Sequence, residues 1–176
     1  MINKYILLYN MYSVNQLFTN NISLYPYELN KDIDNIILLK LKKLLEGYCK
    51  DNCFVLNNSI DIIKKSLGKI ETHENKNIIK YQVTYSCDII SPTKGQEIDI
   101  IVNSVNKMGI IGYIKIDEKY SKSDKPFENS PLIIIIPEDL IDNINDINIG
   151  QKIKASILDY RIKFRNEQIQ VICKMI

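Results

Sequence analysis

The sequence predicts an α+β chain, with a helix and an antiparallel sheet followed by a five-stranded β-barrel. Three observations carry this. Residues 31–46 are amphipathic at helical spacing. Residues 79–89 alternate apolar and polar side chains without a break. From residue 97 onward five short apolar runs follow one another, with a small helical turn between the third and the fourth.

The first element is a strand over 17–25, ended by Pro26, which cannot donate to a ladder. The helix follows. Ile33, Ile36, Ile37, Leu41, Leu44 and Leu45 fall on one face, and Asn30 stands at the N-cap position. Asp32 and Asp34 lie in its first turn and Lys40, Lys42 and Lys43 toward its end, the distribution that the helix dipole favours. Gly47 supplies the left-handed stop. Short strands are expected over 53–56 and 60–64, then a polar turn over 71–77. In the long strand after it, Ile79, Tyr81, Val83, Tyr85, Cys87 and Ile89 share one face. That pattern buries one side and solvates the other.

Pro92 and Gly95 end this strand and mark a boundary, giving domains 1–95 and 96–176. The second domain is expected to hold strands over 98–105, 110–117, 132–136, 152–158 and 168–174. A turn at Met108-Gly109 joins the first two, a polar loop spans 118–130, and a helical turn covers 137–142. Five strands with a helix between the third and fourth is the order of an OB-type barrel.

Composition narrows the function. A hydrophobic content of 45% with 25% charged residues is that of a folded globular chain. A net charge of +2 gives weak whole-molecule attraction to nucleic acid or to anionic lipid, so any such contact needs a local patch. The abundance of Ile, Asn, Lys and Tyr reflects an A+T-rich coding sequence, which leaves Lys where an Arg fork would serve better. Cys49, Cys53, Cys87 and Cys173 form no C-x-x-C pair, and His73 is the single histidine; buried reduced thiols are expected rather than a zinc site. No run approaches the roughly 20 apolar residues of a membrane span. The N-terminus lacks a signal-peptide pattern, so a soluble intracellular protein is expected.

No catalytic constellation stands out: there is no P-loop, G-x-G-x-x-G, G-x-S-x-G or H-E-x-x-H. No cofactor is expected. His73, beside Glu71 and Glu74, reads as a surface loop residue, and Glu138, Asp139 and Asp142 as a solvated helix start. What remains is a binding surface. Arg161, Lys163 and Arg165 alternate with Ile162 and Phe164, so an extended hairpin would put all three cations on one face. Tyr113 and Lys115 share the outward face of the second barrel strand. Cations for phosphates and rings for bases are what a barrel uses on a single strand.

Four segments extend this reading. Ile22-Ser23-Leu24-Tyr25-Pro26, Leu44-Leu45-Glu46-Gly47-Tyr48-Cys49, Leu67-Gly68-Lys69-Ile70 and Ile90-Ser91-Pro92-Thr93-Lys94-Gly95-Gln96-Glu97 occur in that order. Together they resemble the larger stalk subunit of multisubunit DNA-directed RNA polymerases, the seventh subunit of eukaryotic polymerase II, with archaeal and viral relatives. The resemblance covers residues 17–176. It implies a non-catalytic accessory subunit: a tip domain docking on the polymerase core, an OB domain meeting nascent single-stranded RNA, and a small helical partner subunit. The loops at 47–52 and 66–69, with Gly47, Tyr48, Gly68 and Lys69, are then the core-docking candidates.

The chain departs from the pattern in three places. Gln96 is inserted after Gly95, Ile100 stands near an expected glycine, and Ile110 replaces an aromatic after Gly109. Loss of that ring lowers the expected RNA affinity. About ten N-terminal residues have no counterpart. Divergence and A+T-rich coding together point to a viral member, placed in host cytoplasm or virion; a cellular member would be nuclear. A free-standing OB-domain RNA binder of the translation-factor or exosome-cap type is the alternative. More rings and arginines on the barrel would favour it.

Overall fold

The computed structural model describes residues 13–29, 32–73, 76–141 and 146–176. The expected N-cap at Asn30, the helical turn's end at Asp142 and the N-terminal extension lie outside them.

The N-terminal half is one sheet with a helix on one face. Its centre is the long strand β6 (Lys76–Ile90). Strand β1 (Ser13–Leu24) pairs along one side, from Ser13 opposite Ile90 to Leu24 opposite Ile79. The other side is shared by three short strands in turn: β3 (Cys53–Val55), β4 (Asp61–Lys65) and β5 (Lys69–His73). Strand β2 (Cys49–Lys50) pairs with β3. The alternation of β6 works as expected: Tyr81, Val83, Tyr85, Cys87 and Ile89 are all buried, under Ile37, Leu41 and Leu45 of α1 (Ile33–Leu45).

Three local expectations are corrected here. Leu44 is 38% exposed rather than on the buried face. The turn expected over 71–77 is mostly strand, because Thr72 stands opposite Asn77 in the ladder and donates to its side-chain oxygen at 3.1 Å. A ladder is made by backbone groups, so polar side chains do not exclude it. His73 is therefore the last residue of β5 rather than a loop residue. At the N-terminus of α1, Asp32 accepts from the Asn35 amide at 3.3 Å and so acts as the cap.

The C-terminal half is a closed barrel of β7 (Glu97–Asn106), β8 (Gly109–Tyr113), β9 (Leu132–Pro137), β10 (Lys152–Arg161) and β11 (Ile169–Met175). Neighbours run β7-β8-β9-β11-β10 and back to β7, with β9 and β11 parallel and the other pairs antiparallel. The short helix α2 (Pro126–Asn129) precedes β9, and a 3-10 turn at Glu138–Leu140 follows it. Strand β8 ends earlier than expected. The Ser130 hydroxyl takes the Ile114 amide at 3.2 Å, so a side chain replaces the ladder there.

Sheet and barrel share one apolar cluster. Cys49, Phe54, Leu56 and Ile90 of the sheet pack with Ile98, Ile100, Ile114 and the rest of the barrel core. The connection at 91–96 is itself bonded. Gly95, at φ +81°, donates to the Ile157 carbonyl at 2.7 Å, and Ile157 donates to Gln96 at 2.9 Å. The side chain of the inserted Gln96 accepts the Thr93 amide at 3.2 Å.

Candidate interaction surfaces

The four docking candidates lie at opposite ends of the sheet. Gly47 ends α1 at φ +78° and is buried. A Cβ there would overlap the ammonium of Lys122, which comes from the barrel. Lys122 donates to the Glu46 carbonyl at 3.4 Å and lies 5.7 Å from the centre of the half-buried Tyr48 ring. The next residue, Cys49, donates to the Asn166 carbonyl at 2.8 Å and accepts from the Arg165 amide at 2.9 Å. Gly47 and Tyr48 thus face the barrel rather than open solvent. Gly68 and Lys69 sit about 35 Å away along β6, taking roughly 3.3 Å per residue from Ile90 to Ile79. A Cβ on Gly68 would lie 2.7 Å from Ile79 and 2.8 Å from the Tyr81 ring, so a bare Cα is needed there for packing.

Around Gly68 the surface is apolar and open. Leu67 is 94% exposed, Ile70 73% and Ile63 61%. Ile63 faces out because the β4–β6 register shifts between Ile62 and Lys64. Leu24 and Ile70 flank Ile79 on either side of β6, which puts the following Tyr25–Tyr27 pair at the same end. Those two rings stack at 5.4 Å and Tyr27 is 82% exposed.

The junction end is fastened by polar groups that the sequence did not single out. Asn57 and Asn58 donate to the Tyr120 and Lys119 carbonyls, both at 3.0 Å. The Tyr120 hydroxyl donates to Asp88 at 2.6 Å. Burial and the Asp88 carboxylate together push the Tyr120 hydroxyl above the usual phenol range. The Glu46 carboxylate is buried and accepts the Ser59 and Ile60 amides at 3.0 and 3.2 Å. Each is an ordinary polar residue of a loop, strand or helix end in sequence, and only its long-range partner marks it.

The cation pattern at 161–165 is corrected. Arg161 is the last residue of β10, and the chain then turns: the Asn166 amide bonds to the Lys163 carbonyl at 3.0 Å and Arg165 adopts φ +62°. The Arg165 amide is taken by Cys49, so the extended geometry that period two requires is lost. Arg161, Lys163 and Arg165 are all exposed, as is Phe164 at 73%. Tyr113 is half-buried and meets Phe127 edge-on at 5.9 Å. Lys115 lies beyond the end of β8 and is exposed, lining an open polar depression with Ser121, Ser123 and Asn129.

Register does bring two of these residues into one row. Tyr113 stands opposite Ile133, Ile133 beside Gln170, and Gln170 opposite Arg161. Directly paired residues share a face, so this outward row crosses three strand spacings, about 14 Å in all. The neighbouring row is apolar: Ile111, Ile135 and Ile172, the last two 37% and 42% exposed.

All four cysteines are free and buried. Burial pushes the Cys49 thiol up to about 11, and the Cys87 and Cys173 thiols to about 12. Among the described residues no group of three or more His, Cys, Asp or Glu side chains could hold a metal ion. No helix among them is long and apolar enough to cross a membrane.

A protein of Acanthamoeba polyphaga mimivirus named as a DNA-directed RNA polymerase subunit is 25% identical over 172 residues, 89% of this chain and 78% of its own length. That span takes in both the sheet and the barrel. Over most of its length the chain is similar to proteins named as RNA polymerase subunits, subunit 7 among them. The DNA-directed RNA polymerase II subunit 7 of Arabidopsis thaliana is 24% identical over 149 residues, 84% of this chain and 74% of its own. Its soybean (Glycine max) counterpart is 29% identical over 91 residues, about half of each chain. No family model matches the sequence. A helix-bearing sheet followed by a five-stranded barrel is the architecture that the resemblance to subunit 7 implied.

Proposed function

We propose that this chain is a non-catalytic stalk subunit of a DNA-directed RNA polymerase, with the sheet as the tip that docks on the core and the barrel reaching toward nascent RNA. The observation that carries this is homology to polymerase subunits across both halves of the chain. Docking belongs at the far end of the sheet, around Gly68 and Lys69, where Leu67, Ile70 and Tyr27 are exposed. Apolar groups left in water at one end of a rigid sheet gain by being covered. The core-docking role of Gly47 and Tyr48 becomes indirect: they hold the tip to the barrel.

For RNA, the row from Tyr113 to Arg161 offers a ring and a cation, with Lys163, Arg165 and Lys115 nearby in sequence. Two or three phosphate contacts give weak binding with a salt slope of roughly −0.7 per contact. Tethering beside an RNA exit path compensates through effective concentration. The apolar row at Ile111, Ile135 and Ile172 is the surface the barrel offers to a small helical partner. A viral member would act in the host cytoplasm or virion, and a cellular one in the nucleus.

Affinity purification of the tagged chain from its native cells, followed by mass spectrometry, tests the assignment. The large polymerase subunits are expected in stoichiometric amounts. Recovery of the chain with RNA alone would instead favour a free-standing OB-domain RNA binder.

A further inference from the structure

The contact between Lys122 and the end of α1 has the form of a built socket. Helix α1 terminates at Leu45, with Glu46 as its C-cap. The last carbonyls of a helix carry partial negative charge, which a cation satisfies. Lys122 reaches this end from the other half of the molecule and donates to the Glu46 carbonyl at 3.4 Å. The Tyr48 ring forms one wall, its centre 5.7 Å from the ammonium. Gly47 leaves the space open: a side chain there would meet both the Lys122 ammonium and the Asn57 side-chain oxygen.

That oxygen is the second observation. Asn57 is 6% exposed, and its Oδ1 is buried and accepts no hydrogen bond from the described residues. A buried acceptor without a donor is costly. The Asn57 oxygen and the Lys122 ammonium border the same space at Gly47. The amide of Asn57 meanwhile holds the barrel loop two residues upstream, at the Tyr120 carbonyl.

Lys122 also starts from a fixed place. Its own amide and that of Ser123 both donate to the Asn129 side-chain oxygen, at 2.8 and 2.9 Å. The Asn129 amide returns to the Ser123 carbonyl. The other ties at the junction, from Cys49, Asn57, Asn58 and Asp88, fasten the barrel to strands and turns. Lys122 fastens it to the helix.

We infer that Lys122 is a positioning residue: its ammonium, seated between the Glu46 carbonyl, the Tyr48 ring, the Asn57 oxygen and the bare Cα of Gly47, sets the angle between sheet and barrel. Gly47 is then required for its missing side chain as much as for its positive φ. The neighbouring Glu46 carboxylate is occupied by the Ser59 and Ile60 amides, so the lysine takes the backbone oxygen.

The test is a distance measurement on the isolated full chain, so it is independent of polymerase membership. Spin labels are placed on Asn21→Cys in β1 and Lys107→Cys at the β7–β8 turn, both exposed sites; the buried native thiols react slowly. Pulsed electron resonance is expected to give one narrow distance distribution. Lys122→Met, which keeps the stem and removes the charge, broadens and shifts it, while Lys122→Arg restores most of the narrow component. Gly47→Ala broadens it too, and adding Lys122→Met to Gly47→Ala changes nothing further, because both act on one contact. An unchanged distribution in Lys122→Met overturns the inference, and so does additive broadening in the double variant. Should Gly47→Ala fail to fold, Lys122→Met and Lys122→Arg decide alone.

Discussion

Gly47 and Gly68 each close a short stretch that holds a Lys-Lys pair and a leucine, yet they end up in opposite settings. At Gly47 the chain is closed in by Lys122, Asn57 and the backbone of the barrel loop at Arg165–Asn166. At Gly68 the glycine packs on Tyr81 while its neighbours Leu67 and Ile70 stand in solvent. A glycine in a tight loop therefore says that something approaches closely, and the source of the approach is set by distant parts of the chain. One end of the sheet spends its close approach on holding the molecule together. The other end is free to spend it on a partner.

The sharpest way to break this contrast is to truncate a side chain at each end. Phe54 is 4% exposed in the cluster shared by sheet and barrel, so Phe54→Ala is expected to cost about 3–5 kcal/mol in denaturant unfolding. Leu67→Ala, at a position 94% exposed, is expected to stay within about 0.5 kcal/mol of the parent. Equal costs would mean that the two ends are not distinct in kind. The same asymmetry is expected to invert in binding: Leu67→Asp with Ile70→Asp abolishes recovery of large polymerase subunits while the melting temperature holds.

Next in size is the polar clasp. Tyr120→Phe removes the donor to Asp88 and leaves that carboxylate short of a partner, an expected loss of about 1.5–3 kcal/mol. Chemical denaturation of the two proteins at neutral pH measures it. A cost near zero would show that the apolar cluster alone holds the junction.

A further effect separates the halves by pH. Cys49 and Cys87 lie in the sheet and Cys173 in the barrel, with thiols pushed up to about 11, 12 and 12. An unfolded thiol ionises near 8.5 while the folded one stays protonated, so the unfolded state binds fewer protons above that pH. Stability is then fully present below about pH 8.5 and falls as pH rises toward 11–12. Cys87→Ser and Cys173→Ser each flatten part of that fall, and urea titrations between pH 8 and 11 read the slope.

Much of the fold was legible because its signals are local. Strand β6 alternates along its length, α1 repeats every three to four residues, and the barrel strands are separated by turn residues. Failures came where a distant group decides. Alternation at 161–165 imitates a strand, but the Cys49 carbonyl draws the Arg165 amide and the chain turns. Ser130 cuts β8 short from 16 residues away. The row joining Tyr113 to Arg161 depends on the parallel pairing of β9 with β11, a consequence of barrel closure that no window of sequence contains. Leu67 and Ile70 could be read from sequence as apolar, but not as uncovered.

Strand β6 also has a mechanical meaning. It runs unbroken from Lys76, near the exposed end, to Ile90 at the shared cluster, and β1 pairs with it at twelve positions. A pull between the far end and the barrel acts along this strand, so its cross-strand bonds are loaded in shear, all together, rather than peeled one at a time. The sheet then behaves as a stiff rod. The connection at 91–96, the shared apolar cluster and the polar ties of the junction then carry that load on into the barrel.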